Sequence, residues 1–238
     1  MKIAVFGATG NIGRRVLAAG VERGHEMTAF VRNPEKLLEQ QGERIASQTN
    51  VIAEEMLDPQ SVYRALAHQD AAILAAGTAG DGDAFVRLVD NIVTQCERQT
   101  LFAGRVWAMG GAGLLTVPHT SILGNDLPGM PPVYKNHDRN LDRLRRTELD
   151  WSIMCPGTMV DASPETSLRQ LAVSTESLPL PFPESTRELS PEELTGLIFS
   201  RFSELNVAYE DVAAFMLDHL ERSGPYKGKR VGVAYPSA

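Results

Sequence analysis

With 238 residues, 43% of them hydrophobic and 22% charged, the chain can close one sizeable α/β core and lacks the composition of a disordered segment. A formal charge of −7 and a pI near 5.3 argue against nucleic acid or an anionic membrane as its partner. No apolar run reaches the roughly 18 residues of a membrane span, and the first strand starts at Lys2 with no room for a leader, so a cytoplasmic protein is expected.

The chain opens on an apolar strand, Lys2-Ile3-Ala4-Val5-Phe6, which breaks at Gly7, Gly10 and Gly13 and resumes at helical spacing through Ile12, Val16, Leu17 and Val21. Strand, glycine loop and helix, followed by a second strand at Glu26–Val31, fill the roughly 30 residues of a βαβ unit. Glycine admits bare backbone to a ligand. Gly7 and Gly10 therefore leave room for a diphosphate against the amides around Thr9, Asn11 and Ile12, and Gly13 lets the helix lie close to the strand. The helix dipole adds about 0.3–1 kcal/mol for an anion there. The predicted fold is α/β, a Rossmann-type doubly wound parallel sheet, and the expected cofactor is a nicotinamide dinucleotide.

Strand two ends in Arg32-Asn33-Pro34, with no acid beside Arg32 in the sequence. A guanidinium suits a 2′-phosphate, whereas a carboxylate would take a free ribose hydroxyl, so Arg32 predicts NADP over NAD. Arg14 and Arg15 either supplement that phosphate site or form a solvated helix face. A weakly patterned helix over Pro34–Gln41 and a third strand over Asn50–Glu54 follow, and then Asp58-Pro59, an N-cap with proline in the first helical position.

Asp70–Ala76 reads as a short buried strand, after which Ala76 and Gly77 allow close approach to the cofactor ribose. A Gly/Asp-rich loop leads to a helix over Ala84–Gln99, whose Asn91 is either polar surface or the back of the site. Strand five, Arg105–Met109, runs into Gly110-Gly111-Ala112-Gly113. Ligands of doubly wound sheets sit beyond the carboxyl ends of strands, which points Gly110 at the nicotinamide. A loop over 117–132 is long enough to overhang the site. The helix Val133–Thr147 carries Tyr134, His137 and Asp138 at spacings that share a face. If that face meets the cleft, His137 is a proton donor and Tyr134 a substrate contact; otherwise they are surface groups.

Strand six, Asp150–Cys155, ends at Pro156, which frees the chain to turn over the nicotinamide. Residues 161–205, with their prolines and a capped helix from Ser190, read as an ordered insertion in a single domain over 1–238, either a small substrate lobe or a homodimer contact. A helix near Glu210–Glu221 and a strand at Arg230–Ala234 close the chain. Cys96 and Cys155 suit buried free thiols, and the five histidines lack metal-ligand spacing, so no metal is expected.

The loop Gly7-Ala8-Thr9-Gly10-Asn11-Ile12-Gly13 resembles the glycine motif of the atypical and extended short-chain dehydrogenases/reductases. The stretches Thr147–Trp151, Met154–Gly157 and Tyr209–Leu217 are similar to the NmrA-like and flavin reductase (biliverdin reductase B) type. The likeness covers the first strand to Pro156 and about Val207 onward. It implies an adenine contact at Asp58, a His or Lys at position 137, and NADPH-dependent reduction of a planar conjugated small molecule such as a flavin or quinone. The alternative it implies is an NmrA-like regulator that senses the dinucleotide without turnover. Two departures stand out. The superfamily's Tyr-x-x-x-Lys is replaced by adjacent Tyr134-Lys135, which disfavours a sugar-nucleotide epimerase, and the hydroxyl residue after strand five is Gly111 here.

Overall fold

Ile3 and Val5 join one apolar layer and Ala4 and Phe6 the other, all fully buried, as in a strand covered on both faces. The same alternation recurs at Ala71/Ile73 against Ala72/Leu74 and at Trp107 against Val106/Ala108. A computed structural model describes residues 1–162 and 168–236. Its elements are β1 (Lys2–Phe6), α1 (Asn11–Glu22), β2 (Glu26–Val31), α2 (Pro34–Ala46), β3 (Thr49–Ala53), α3 (Pro59–Leu66), β4 (Ala71–Leu74), α4 (Asp83–Arg98), β5 (Arg105–Met109), α5 (Lys135–Arg145), β6 (Asp150–Cys155), β7 (Met159–Val160), β8 (Ala172–Thr175), α6 (Pro191–Arg201), β9 (Val207–Ala208), α7 (Tyr209–Asp218) and β10 (Lys229–Ala234).

The sheet runs β3-β2-β1-β4-β5-β6-β10-β8, parallel except for β8, which pairs antiparallel with β10. This is the Rossmann-type α/β fold. The buried residues of α1, α2 and α7 pack on one face and those of α3, α4 and α5 on the other. The strand order reverses between β1 and β4, opening a crevice at the carboxyl rim of the sheet.

Several boundaries differ from the sequence reading. The second helix extends to Ala46 across a break at Gly42, where φ is +71°. The strand expected to reach Ala76 ends at Leu74, leaving Ala75–Gly77 as loop. The helix expected from Val133 starts as a 3-10 turn over Pro132–Tyr134, and the last helix stops at Asp218.

Residues 163–167, inside the predicted insertion, lie outside the described residues. The rest of the insertion is tied to the sheet and to the overhanging loop. Its β8 extends the main sheet, and Arg230 of β10 bridges Glu176 and the Leu114 carbonyl. His119 bonds the Phe182 carbonyl at 2.9 Å, and Arg201 donates to the Pro181 carbonyl at 2.6 Å. The capping box of Ser190 and Glu193 starts α6 as its sequence requires.

Candidate cofactor and active site

The glycine loop is set by close contact, not only by turn geometry. Gly7 has φ +89°, and a Cβ there would stand 2.7 Å from the Ala75 carbonyl oxygen. A Cβ at Gly13 would stand 2.2 Å from the Gly7 oxygen. No side chain fits either place, so the ends of β1 and β4 and the start of α1 meet as bare main chain. The first intrahelical bond runs from Arg14 N–H to the Gly10 carbonyl at 3.0 Å, so the amides of Asn11, Ile12 and Gly13 precede the helical ladder. Gly10, the N-cap, has no side chain to cap them. The Gly10 amide is taken by the Gly7 carbonyl at 2.9 Å, so an anion held by the amides of Thr9, Asn11, Ile12 and Gly13 is what this geometry accepts, and the diphosphate of a dinucleotide has that chemistry. The Asn11 side chain turns away toward the Tyr209 hydroxyl, at 3.4 Å.

Arg32 follows β2 at the surface, and no carboxylate pairs with it among the described residues. An acid is nonetheless close in register. Val31 pairs with Ala53, and Glu54 N–H donates to the Val31 carbonyl at 3.0 Å, so Glu54 takes the position across from Arg32. Arg15 does not supplement a phosphate site, because Glu210 holds its Nε at 2.8 Å and Asp161 takes its other end. Asp58 caps α3 with both oxygens, accepting from the amides of Gln60 and Ser61 and from the Ser61 hydroxyl. The Ser61 bonds hold its carboxyl below the ordinary range. Asn91 does not line the site, since its amide donates to the Met56 carbonyl at 2.7 Å.

Past β4 and β5 the rim is built from side chains. The ring of Phe85, on the first turn of α4, packs against Gly77, where φ is +80° and a Cβ would stand 2.6 Å from the ring. His137 lies edge-on to Phe85, with ring centroids 5.4 Å apart and planes at 81°. Its Nε2 is 3.8 Å from where a Cβ of Gly111 would be, so the imidazole sits at the strand end. Burial draws the His137 pKa below its ordinary 6.5, with Asp138 pulling weakly the other way. The ring is therefore neutral at physiological pH. Gly110 packs against Leu114 and Ile153, and a Cβ there would stand 2.8 Å from the Leu114 side chain, which would have to shift. Pro156 is buried, and its carbonyl accepts from Ala112 N–H at 2.8 Å, which ties the end of β6 to this loop.

The three residues that shared a face in the sequence have different surroundings. His137 turns inward. Asp138 is held by the Asn125 amide at 2.7 Å and by Lys135 at 3.0 Å. Tyr134, in the 3-10 turn, is 40% exposed, and its carbonyl accepts from the Asn125 amide at 3.2 Å. Asn125 is itself seated against Gly113, where any side chain would collide with it. Sequence reasoning missed Phe85 and Asn125. Phe85 shows in the sequence only as the first apolar residue of an amphipathic helix, and Asn125 carries no local signal.

A family model described as NAD(P)H-binding matches residues 7–180, which include the glycine loop and every strand from β2 to β8. The chain belongs to the NAD(P)H-binding family. This NAD(P)H-binding protein is 29% identical to the uncharacterized protein YwnB of Bacillus subtilis strain 168 over 171 residues, 68% of this chain and 74% of that one. Among solved structures it is similar to a candidate exported protein from Burkholderia pseudomallei, at 26% identity and TM-score 0.71, covering 99% of this chain and 100% of that one. It shares its fold with a candidate NADH-flavin reductase from Streptococcus pneumoniae TIGR4, at 23% identity and TM-score 0.70, covering 99% of this chain and 100% of the other. The family and the glycine loop agree on the ligand class: NAD(P)H suits the bare backbone of Gly7–Gly13.

Proposed function

We propose that the protein is an NADPH-dependent oxidoreductase acting on a planar conjugated small molecule, a flavin, a quinone or a similar electron-poor ring system. The observation that carries this reading is the placement of a desolvated neutral imidazole, His137, at the end of β5, on the same carboxyl rim as the glycine loop of β1. Reduced nicotinamide, when bound, supplies a hydride.

The chain's own residues do the rest. Amides of Thr9, Asn11, Ile12 and Gly13 receive the diphosphate, and Arg32 meets the 2′-phosphate with charge-assisted hydrogen bonds. Asp58 is offered to the adenine amine, Ala76 and Gly77 keep the ribose side free of bulk, and Gly110 and Pro156 shape the nicotinamide end. Phe85 excludes water from one side of His137. As a neutral ring, His137 donates a hydrogen bond to the charge that develops on the acceptor, and water then delivers the proton. Such an acceptor stabilises its own anion, which accounts for a site without Tyr-x-x-x-Lys. Tyr134, exposed at the rim, contacts the substrate from outside.

The streptococcal fold neighbour, described as an NADH-flavin reductase candidate, supports the acceptor class and differs in the nucleotide preferred here. The test is to follow NADPH oxidation with FMN, biliverdin and quinones in parallel with NADPH and NADH titrations. Turnover with at least one acceptor and tighter binding of NADPH is the expected outcome. Tight NADPH binding with no turnover across the panel would replace the reductase with an NmrA-like sensor.

A further inference from the structure

The His137 ring is packed, not bonded: its buried Nδ1 has no hydrogen-bond partner among the described residues, and its neighbours at the rim are the edge of Phe85 and the bare backbone of Gly111. Its place is therefore set by the main chain that carries it, the first turn of α5. Whatever fixes that turn fixes the imidazole.

One side chain grips the turn on both sides of the histidine. Asn125 donates through Nδ2 to the Tyr134 carbonyl at 3.2 Å and to the Asp138 carboxylate at 2.7 Å, so one acceptor lies three residues before His137 and the other directly after it. Two further ties hold the same turn. Lys135 bridges Asp126 and Asp138 at the surface, and Asn136 donates to the Ala79 carbonyl at 3.0 Å. An exposed ion pair is worth little, whereas a hydrogen bond from a buried amide to a carboxylate is among the stronger ones.

The loop after β5 brings Asn125 to this place. Beyond Gly111 the chain folds back on itself, with Val117 N–H donating to the Ile122 carbonyl and Gly124 N–H to the Leu115 carbonyl, both at 2.9 Å. Gly113 and Gly124 then meet as bare backbone, a Cβ on Gly124 standing 2.8 Å from the Gly113 Cα, and the Asn125 side chain lies against Gly113, 7% exposed. The contacts close a circuit: the loop of Gly111 and Gly113 seats Asn125, Asn125 holds the start of α5, and α5 returns His137 to Gly111. The site also selects the residue type. Both targets are acceptors, so a donor is required; aspartate would set one carboxylate against another, and leucine would leave both acceptors without this partner.

We propose that Asn125 is a positioning residue for His137: its amide bonds the Tyr134 carbonyl and the Asp138 carboxylate from a turn seated on Gly113, and so fixes the imidazole over Gly111. The kinetic consequence rests on the reductase reading above; the placement of the ring does not.

The experiment measures acylation of His137 by diethylpyrocarbonate in the full chain at about pH 7.5, where neutral rings dominate, read by peptide mass spectrometry against the exposed His68 as internal reference. Asn125→Asp keeps the shape and removes the donor. Its His137 is expected to react about tenfold faster relative to His68, the worth of one hydrogen bond to a charged group. Its kcat is expected to fall about 10–100-fold while KM for NADPH stays put. The double exchange Asn125→Asp with Asp138→Asn restores an N–H···O pair with the donor on the other side, and it is expected to return the His137 rate toward that of the wild type. An unchanged His137 rate in a folded Asn125→Asp overturns the proposal. A rise that the double exchange leaves in place overturns it too, as a general loosening. Where Asn125→Asp does not fold, Asp138→Ala removes one acceptor from a part-exposed place, and an unchanged His137 rate there is equally fatal. A faster, rescuable His137 with no acceptor reduced by any of these proteins upholds Asn125 and removes the reductase reading instead.

Discussion

At the carboxyl end of β1 the ligand-facing surface is main chain, held by glycines that pack against Ala75 and Gly7, whereas past β5 it is side chain, made by Phe85 and His137 over Gly111. The first surface is one shape that any substitution spoils. The second is a set of groups whose chemistry can be altered while the shape survives. On the proposed function, one end governs whether a dinucleotide binds at all, and the other governs what happens after it has bound.

Substitutions should separate the two ends. Gly13→Val places its first carbon 2.2 Å from the Gly7 oxygen and adds two methyls beyond it. The close approach of α1 to β1 is lost, and NADPH affinity is expected to fall by at least about 100-fold in a calorimetric titration, with about 1–3 kcal/mol of stability lost in urea unfolding. Next in size is His137→Gln, expected to lower kcat about 100-fold while leaving the NADPH dissociation constant unchanged. A matching loss of binding would show that the two ends are not independent.

Arg32→Ala is expected to weaken NADPH by about 10–100-fold and NADH hardly at all, the worth of one charge-assisted hydrogen-bonded contact. Glu54→Gln, across the β2/β3 pair, should sharpen the same preference slightly by removing an exposed like charge from the phosphate. Equal affinities for the two nucleotides in the wild type would remove Arg32 from its role.

The smallest effect is on pH dependence. Burial lowers the folded-state pKa of His137 below 6.5, so the unfolded chain takes up this proton first. Stability contributed by the neutral ring is present above about 6.5 and is lost as pH falls through the folded value, and His137→Gln should flatten that part of the melting-temperature profile. Turnover should be level from about pH 7 upward, since the ring donates as a neutral group. A tenfold decline per pH unit across that range would mean that a protonated imidazole is the donor.

The contrast between the two ends also explains what the sequence disclosed. Gly7 and Gly13 were legible because only glycine serves where backbones touch, and the place of Arg32, though not its role, because it follows from the end of β2. The face shared by Tyr134, His137 and Asp138 was legible only as spacing. Tyr134 lies in the 3-10 turn that leads into the helix, and Asp138 is claimed by Asn125 from a loop 13 positions away. Arg15 was left open between a phosphate supplement and a solvated helix face, and its actual partner, Glu210, is 195 positions distant. Contacts between remote segments leave no local pattern, and the rim past β5 consists of such contacts.

That distant partner has a consequence for biosynthesis. The helix that opens the glycine loop lies against α7, with Arg15 bound to Glu210, Arg23 to Asp218 and Asn11 near the Tyr209 hydroxyl. A ribosome that has made the first strand and its loop has made the residues of the cradle but not the wall behind them. The helix behind the glycine loop therefore has its outer wall only once one of the last helices of the chain has been made.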